Sequence, residues 1–85
     1  MWSVSYTPEA LRSLSRMDAV VARRIRAKVL ALAADPVAPS NNVKKLVGVE
    51  GYRLRVGDWR VIYTLRHREL TIVVIGVGYR SEVYE

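Results

Sequence analysis

The sequence contains no cysteine and no long run of apolar residues. Without cysteine, neither disulfides nor thiolate metal ligands can supplement the hydrophobic core, which is typical of proteins in a reducing compartment. The longest apolar run, Leu70 to Tyr79 with Thr71 inside it, is far short of the ~20 residues that a transmembrane helix needs. Charges such as those of Glu9 and Arg16 interrupt the beginning of the chain, so no secretory signal is visible. We therefore predict a cytoplasmic location and no contact with a membrane.

The sequence also has few residues suited to metal or cofactor binding. No group of carboxylates resembles a magnesium site, and no glycine-rich loop of the kind that cradles phosphates is present. The single histidine, His67, falls in a predicted turn between two strands, and we interpret it as a solvated turn residue. We therefore expect the protein to use no metal and no other cofactor.

The composition is that of one small, basic, folded domain. The chain has 85 residues, of which 51% are hydrophobic, and it has no low-complexity segment, so we predict a single domain over residues 1–85. Lys and Arg number 14 against 8 Asp and Glu, a net charge of +6. Such a charge favours binding to phosphate backbones or acidic proteins, although many basic surfaces are merely solvated.

The first half of the chain predicts a short strand followed by two helices. Residues 2–6 alternate as a strand, and Thr7, Pro8 and Glu9 have the pattern of an N-cap and a first helical turn. Asp18 is suited to cap a second helix, whose apolar residues recur at helical spacing: Val21, Ile25, Val29 and Leu32. The basic residues of that helix lie mostly off this stripe and are interpreted as a solvated face: Arg23, Arg24, Arg26 and Lys28.

The second half of the chain predicts three strands. After a polar connector, residues 37–50, a period of two begins at Tyr52, pauses at Gly57 and Asp58, and resumes from Trp59. A Gly-Asp pair in a two-residue loop suits a primed hairpin turn. Residues 70–77 are apolar on both faces and are therefore expected to form an interior strand. The predicted fold class is α+β, with a two-helix hairpin packed on a small, mostly antiparallel sheet in the order β-α-α-β-β-β.

The predicted hairpin collects arginines on one face. With Gly57 and Asp58 as the loop, Arg55 lies opposite Arg60, and Arg53 lies opposite Ile62. Two directly opposed arginines destabilise a sheet by roughly 0.2 to 1 kcal/mol unless an anion lies between them. Guanidinium groups bind phosphate bidentately, so phosphate is a suitable anion. We interpret this face as a polyanion site. The alternative is that the arginines splay into solvent or pair with acidic residues, for which the candidates are Glu50, Asp58 and Glu82.

The end of the chain carries a further arginine and two tyrosines just beyond the last predicted strand, at Tyr79, Arg80 and Tyr84. Tyrosines beside basic residues can stack on nucleobases and can also transfer protons. Alternatively, either tyrosine is an ordinary aromatic at the edge of the core.

Two segments resemble motifs of the RelE/ParE superfamily of bacterial type II toxins, namely YRLRVGDWRVIYTL at residues 52–65 and VGYRSEVYE at residues 77–85. The resemblance extends over nearly the whole chain and includes the leading strand, the helical hairpin and the Lys45-Leu46 connector. For the RelE branch it implies an endoribonuclease that cleaves mRNA, commonly in the ribosomal A site. It also implies a cognate antitoxin, and binding to operator DNA only through the toxin–antitoxin complex.

The resemblance further implies roles for individual residues. Arg53 and Arg55 occupy paired basic positions that are often lysines, Arg60 corresponds to an arginine that contacts the scissile phosphate, and the later basic and tyrosine positions are Arg80 and Tyr84. Because arginine does not readily deprotonate, the hairpin arginines are expected to position and stabilise charge, which leaves Tyr84 as the favoured proton acceptor. Many relatives have a histidine at the position of Tyr79, so the acid and base assignments stay open. Three residues are candidates for RNA binding: Lys44, Lys45 and Tyr79.

Two other functions are compatible with the sequence. A ParE-like toxin on the same fold would inhibit DNA gyrase by binding and would have no ribonuclease activity. A basic, non-toxic RNA-binding domain would bind RNA with strong salt dependence and leave it uncut. Arg60, Arg80 and Tyr84 favour the endoribonuclease, because a gyrase inhibitor has no evident need for phosphate-binding arginines and a proton-transferring tyrosine.

Overall fold

The computed structural model describes residues 1–80, which form two helices and five strands. In chain order the elements are β1 (Ser3–Tyr6), α1 (Pro8–Arg16), α2 (Ala19–Leu32), β2 (Val43–Lys45), β3 (Tyr52–Val56), β4 (Trp59–Arg66) and β5 (Thr71–Tyr79). The predicted α+β class and the order of the predicted elements are confirmed. One strand was not predicted, because β2 is only three residues long and lies inside the polar connector. None of the helices formed by the described residues is long and apolar enough to span a membrane.

Both helices begin at the predicted N-caps. The Thr7 Oγ1 accepts a hydrogen bond from the Ala10 N–H at 3.2 Å, and Pro8 occupies the first turn of α1. The Asp18 carboxylate accepts from the N–H groups of Val20 at 2.8 Å and Val21 at 3.4 Å. A side-chain oxygen at this position satisfies N–H groups that have no partner within the helix, so each cap sets where its helix starts.

The five strands form one sheet in the order β1-β5-β4-β3-β2. Neighbouring strands are antiparallel except for β1 and β5, which are parallel. The prediction that the last strand is interior is confirmed, because β5 lies between β1 and β4. The pairing of β4 with β5 shifts register between Ile62 and Tyr63, where Tyr63 pairs with Val74 and Ile62 pairs with Gly76. Ile75 is therefore an extra residue in β5, which makes this a β-bulge.

The bulge changes which residues of β5 face the helices. Before it, Ile72 and Val74 are buried in the core, whereas beyond it the buried apolar residue is Val77. Side chains alternate between the two faces of a strand, so one inserted residue exchanges the faces of all that follow. Residues at the end of β5 consequently lie on the opposite side from that expected of an unbroken alternation.

The helices pack on one face of the sheet, and the core lies between the two layers. The contributing helix residues are Ala10, Leu14, Ile25 and Val29, and the sheet contributes Leu54, Val56, Val61, Tyr63, Ile72, Val74 and Val77. Arg23, Arg24, Arg26 and Lys28 are exposed on α2, as predicted. No helix formed by residues 1–80 covers the other face of the sheet, which is where the hairpin arginines lie.

Candidate nucleic-acid interface

The β3–β4 hairpin has the predicted turn and register. Gly57 has φ +60, and its position as the first central residue of a two-residue loop is typical of a type II′ turn. Val56 pairs with Trp59, Arg55 with Arg60 and Arg53 with Ile62. Because only glycine adopts such a φ at little cost, the Gly-Asp loop determines which residues of the two strands are opposed.

Four cationic residues share the sheet face that points away from the helices. Lys44 pairs with Arg53 across β2 and β3, and Arg55 pairs with Arg60 across β3 and β4. Directly opposed residues share a face, and so do residues two apart on one strand. We call this group the arginine face, and its members are Lys44, Arg53, Arg55 and Arg60. The structure thus brings together three of the five predicted catalytic residues and one predicted RNA-binding residue.

The guanidinium groups of the opposed pair Arg55 and Arg60 have different hydrogen-bond acceptors. The Arg55 N–H donates to the Asn42 carbonyl on the β2 side, so Arg55 and Arg60 form a pair without mutual backbone hydrogen bonds, the closer of the two kinds of pair. The Arg55 Nη2 donates to the Asn42 Oδ1 at 3.4 Å. The Arg60 Nη1 donates to the carbonyls of Gly57 at 3.0 Å and Trp59 at 3.1 Å. Each guanidinium group of the pair is thus bonded to at least one neutral oxygen acceptor.

Exposure differs within the arginine face. Lys44 and Arg55 are exposed and Arg53 is half-buried, whereas Arg60 is only 8% exposed. The Arg60 side chain bonds to the carbonyls of the hairpin turn, and its predicted contact with the scissile phosphate stays a prediction. A guanidinium group in this position contributes to the hairpin as well as to the charge of the face.

Arg80 lies at the end of β5, two residues after Gly78, which pairs with Arg60. Its N–H donates to the Asp58 carbonyl at 2.8 Å, and its Nη1 lies 3.7 Å from the Asp58 Oδ1. Both side chains are about 60% exposed, so the ion pair adds little stability, but the backbone bond attaches the end of β5 to the hairpin turn. Asp58 thereby places the Arg80 backbone beside the arginine face.

Lys45 and Tyr79 do not share the arginine face. Lys45 pairs with Tyr52, and Tyr79 pairs with Trp59, on the side of the sheet where the helices lie. The rings of Trp59 and Tyr79 meet edge to face, with centroids 5.5 Å apart. The reason is the β-bulge, which moves Tyr79 to the helix side of β5. Tyr84, the remaining predicted catalytic residue, lies outside the described residues.

His67 lies in the turn between β4 and β5, as predicted. Its ring meets the ring of Trp2 edge to face at 5.4 Å. The turn is at the far end of β4 from Asp58, which separates His67 from the arginine face.

Two contacts near the site were not predicted from the sequence, those of Asn42 and Arg24. The Asn42 Oδ1 accepts from Arg55, whereas Asp58, a predicted turn residue and candidate ion-pair partner, pairs with Arg80. The Arg24 Nη2 reaches across to the hairpin turn, 3.7 Å from the point that a Cβ on Gly57 would occupy. Arg24 and Asn42 are distant from the hairpin in sequence, and no local pattern indicates these contacts.

Comparison with known proteins agrees with this architecture. The family model of the ParE toxin of type II toxin–antitoxin systems, parDE, matches residues 4–84. An Escherichia coli protein described as a RelE-like toxin is 25% identical over 85 residues, covering 98% of this chain and 90% of that protein.

Solved structures of RelE complexes share the fold. The RelE–RelB complex of Pyrococcus horikoshii OT3 matches with a TM-score of 0.79 and 26% identity, covering 96% of this chain and 98% of that one. The intact E. coli RelBE toxin–antitoxin complex matches with a TM-score of 0.79 and 20% identity, and the match covers 93% of this chain and 96% of that chain. The resemblance read from the two sequence motifs is confirmed, and the chain belongs to the ParE toxin family of type II toxin–antitoxin systems, within the RelE/ParE superfamily.

Proposed function

We propose that this toxin is an endoribonuclease that cleaves mRNA, with the ribosomal A site as its place of action, and thereby inhibits translation. The observation that carries the proposal is the arginine face, where cations from three adjacent strands lie together on a surface that no helix of residues 1–80 covers. Guanidinium groups remain charged at physiological pH and bind phosphate oxygens in a bidentate manner. A single-stranded RNA backbone is a ligand of matching charge.

The proposed reaction is attack of a ribose 2′-oxygen on the adjacent phosphorus. The new O–P bond forms as the bond to the 5′-oxygen breaks, which yields a 2′,3′-cyclic phosphate and a 5′-hydroxyl. The 2′-hydroxyl loses its proton to a base, and the leaving 5′-oxygen gains one from an acid. Arg53, Arg55 and Arg60 are assigned to stabilise the developing negative charge, because arginine is too weak an acid to give up its proton. Tyr84 is assigned as the proton acceptor.

We assign Arg80 to the same phosphate site. Its backbone bond to Asp58 places it beside the hairpin tip, and its side chain is exposed. Lys44 extends the positive surface along β2, where it would contact a phosphate of the flanking RNA.

We further propose a cognate antitoxin as the protein partner, with operator DNA bound only through the toxin–antitoxin complex. Both structures described above are complexes of RelE with RelB, which supports this proposal. An antitoxin segment with carboxylates would neutralise the arginine face, since buried or covered cations require opposite charges or hydrogen-bond acceptors.

Cleavage of a translated mRNA in a purified translation system tests the endoribonuclease. Primer extension should reveal cuts within codons when wild-type toxin is added. Arg55→Ala and Arg80→Ala should each reduce the cleavage rate by about 100-fold, because that is a typical effect of removing one group that stabilises transition-state charge. Tyr84→Phe should reduce it at least as much. Arg68→Ala removes an equal charge from the distant β4–β5 turn and serves as the matched control. Intact mRNA with the wild-type toxin would refute the proposal.

Inhibition of DNA gyrase is the second candidate function, and the match to the ParE family model favours it. A gyrase inhibitor would stop the supercoiling of a relaxed plasmid by purified gyrase and would leave mRNA intact. The two assays on one toxin preparation therefore separate the functions. We expect mRNA cleavage and unimpaired supercoiling.

A further inference from the structure

A cavity of about 200 Å³ lies between α2 and the tip of the β3–β4 hairpin. It is on the helix side of the sheet, across the hairpin tip from the arginine face. None of the catalytic assignments above uses it. Tyr79, which was expected to bind RNA but does not lie on the arginine face, forms part of its wall.

The inner surface of this cavity is apolar and aromatic. Val21 and Ile25 of α2 and Val56 of β3 line it, together with the rings of Trp59 and Tyr79. Trp59 is half-buried and Tyr79 is 37% exposed, so both rings are accessible while remaining anchored in the core. Unpaired bases of single-stranded RNA are bound on aromatic and apolar surfaces of this kind.

Two residues of opposite charge, Arg24 and Asp58, also line the cavity. Arg24 contributes a guanidinium group beside the hairpin turn, with its Nη2 3.7 Å from the position of a Cβ on Gly57. Asp58 contributes a carboxylate, whose Oδ2 accepts from the Tyr79 hydroxyl at 3.4 Å. The cavity therefore combines a guanidinium donor, a carboxylate acceptor and an aromatic surface, which are the groups that can bind the edges and the face of a flat, polar ring.

We propose that this cavity binds one unpaired nucleobase of single-stranded RNA and prefers guanine. Guanine offers the paired acceptors O6 and N7 on one edge, which arginine binds bidentately, and an amino donor on the other edge. The Asp58 carboxylate is the acceptor for that donor, and Arg24 binds the acceptor edge. The inference deepens the proposed function and rests on it in one respect, namely that RNA is the ligand of the protein.

The cavity and the arginine face are close enough to serve the same strand. Trp59 lines the cavity and Arg60 belongs to the arginine face, and consecutive residues of a strand project to opposite faces. Asp58 also binds the Arg80 backbone, so one turn residue contacts both sites. RNA that crosses the hairpin tip would place phosphates on the arginine face and one splayed base in the cavity.

Binding of RNA that cannot be cleaved tests the proposal without relying on catalysis. The probes are a short 2′-O-methyl oligouridine and the same oligomer with a single central guanine. Wild-type toxin should bind the guanine oligomer about tenfold more tightly, in line with the discrimination that one bidentate arginine contact provides. In an NMR titration, the indole N–H signal of Trp59 should shift more with the guanine oligomer than with the oligouridine.

Arg24→Ala and Arg23→Ala form a matched pair of variants. Both residues are exposed on α2 and neighbours in sequence, but only Arg24 lines the cavity. Each substitution removes one positive charge and replaces it with a good helix former, so both variants should fold. Arg24→Ala should abolish the tenfold preference while retaining binding to oligouridine, and Arg23→Ala should retain the preference. A wild-type toxin without the preference, or equal behaviour of the two variants, would overturn the proposal.

The binding test of the cavity and the cleavage test of the endoribonuclease can fail independently of each other. If the guanine preference depends on Arg24 but unmodified mRNA stays intact, the cavity is a base-binding site and the endoribonuclease proposal fails. If mRNA is cleaved but the preference is absent or unaffected by Arg24→Ala, the endoribonuclease stands and the base-binding site is rejected.

Discussion

Among residues 1–80, Tyr63 is the largest of the fully buried side chains, and its hydroxyl group lies inside the core. The residue is 1% exposed, and its hydroxyl has no hydrogen-bond partner among the described residues. Its ring stacks on that of Tyr52, with centroids 5.5 Å apart. Burial raises the pKa of Tyr63 to about 12, and the neighbouring Tyr52 adds to the increase. The ring stabilises the core, while the hydroxyl group costs desolvation energy that no protein group in residues 1–80 offsets.

Tyr63→Phe should therefore stabilise the protein at neutral pH, by about 1 kcal/mol in the free energy of unfolding. The substitution should also alter the response to alkaline pH. The pKa of Tyr63 is higher in the folded state than the ordinary value of 10.0, so the unfolded state loses the proton first and wild-type stability falls between pH 10 and pH 12. The loss of unfolding free energy on going to alkaline pH should be smaller by roughly 1 to 2 kcal/mol in Tyr63→Phe than in the wild type. Urea unfolding of both proteins at pH 8 and pH 11 measures both effects, and a parallel decline would contradict the second.

Arg60 shows how one residue can serve both the fold and the proposed site. Its bonds to the Gly57 and Trp59 carbonyls and its low exposure indicate that removing the side chain would weaken the hairpin. Loss of activity in an Arg60 variant would therefore combine two causes. The exposed Arg55 and Arg80 are better probes of charge at the site.

At the scale of the elements, the β3–β4 hairpin and its turn set the register of the arginine face. The backbone at Gly57 has φ +60, in the left-handed region that residues with a Cβ rarely adopt. Strand pairing on both sides of the turn depends on this conformation. Disturbing the turn should consequently affect stability and the opposed arginines together.

Gly57→Ala should lower the free energy of unfolding by about 1 kcal/mol, because alanine is strained at a positive φ. Gly76→Ala is the control, since Gly76 lies in β5 without a positive φ and a Cβ there would make only an ordinary contact with the Ile62 Cβ at 3.9 Å. Thermal unfolding monitored by circular dichroism should show a lower Tm for Gly57→Ala than for Gly76→Ala. A lower Tm for Gly76→Ala than for Gly57→Ala would mean that the positive φ at Gly57 contributes less to stability than we infer.

At the scale of the whole molecule, the helix layer and the sheet layer present separate groups of basic residues on opposite sides. The helices present Arg23, Arg24, Arg26 and Lys28 on one side, and the sheet presents the arginine face on the other. Since the net charge is +6, both sides attract polyanions at long range. Only the contacts that displace counterions from phosphates contribute to the salt dependence of binding.

The salt dependence of RNA binding should therefore identify the contacting side. For single strands, log K falls with log salt concentration by about 0.7 for each phosphate contact. Arg55→Ala should reduce the magnitude of the slope by about 0.7, whereas Arg68→Ala, at the far turn, should leave it unchanged. Fluorescence anisotropy with a 2′-O-methyl oligouridine over a series of salt concentrations provides the measurement. Equal slopes for Arg55→Ala and the wild type would place the RNA elsewhere.

Local sequence determined much of this protein. The Thr7 and Asp18 caps, the apolar stripe of α2, the Gly57-Asp58 turn and the opposition of Arg55 with Arg60 all follow from residues close together in the chain. Caps, helical periodicity and two-residue turns depend on neighbours within a few positions, so a single sequence contains the needed information. The segments at residues 52–65 and 77–85 were sufficient to indicate the superfamily.

Only the tertiary structure decided which side chains share a surface at the end of β5. An unbroken alternation from Ile72 would place Tyr79 on the arginine face, but the bulge at Ile75 puts Tyr79 beside Trp59. The bulge depends on how β4 pairs with β5, and the approach of Arg24 to the turn depends on how α2 packs on the sheet. These are contacts between distant parts of the chain, and no local propensity encodes them. The sequence therefore predicted the arginines of the hairpin, whereas the burial of Arg60 and the cavity beside Trp59 depend on tertiary packing.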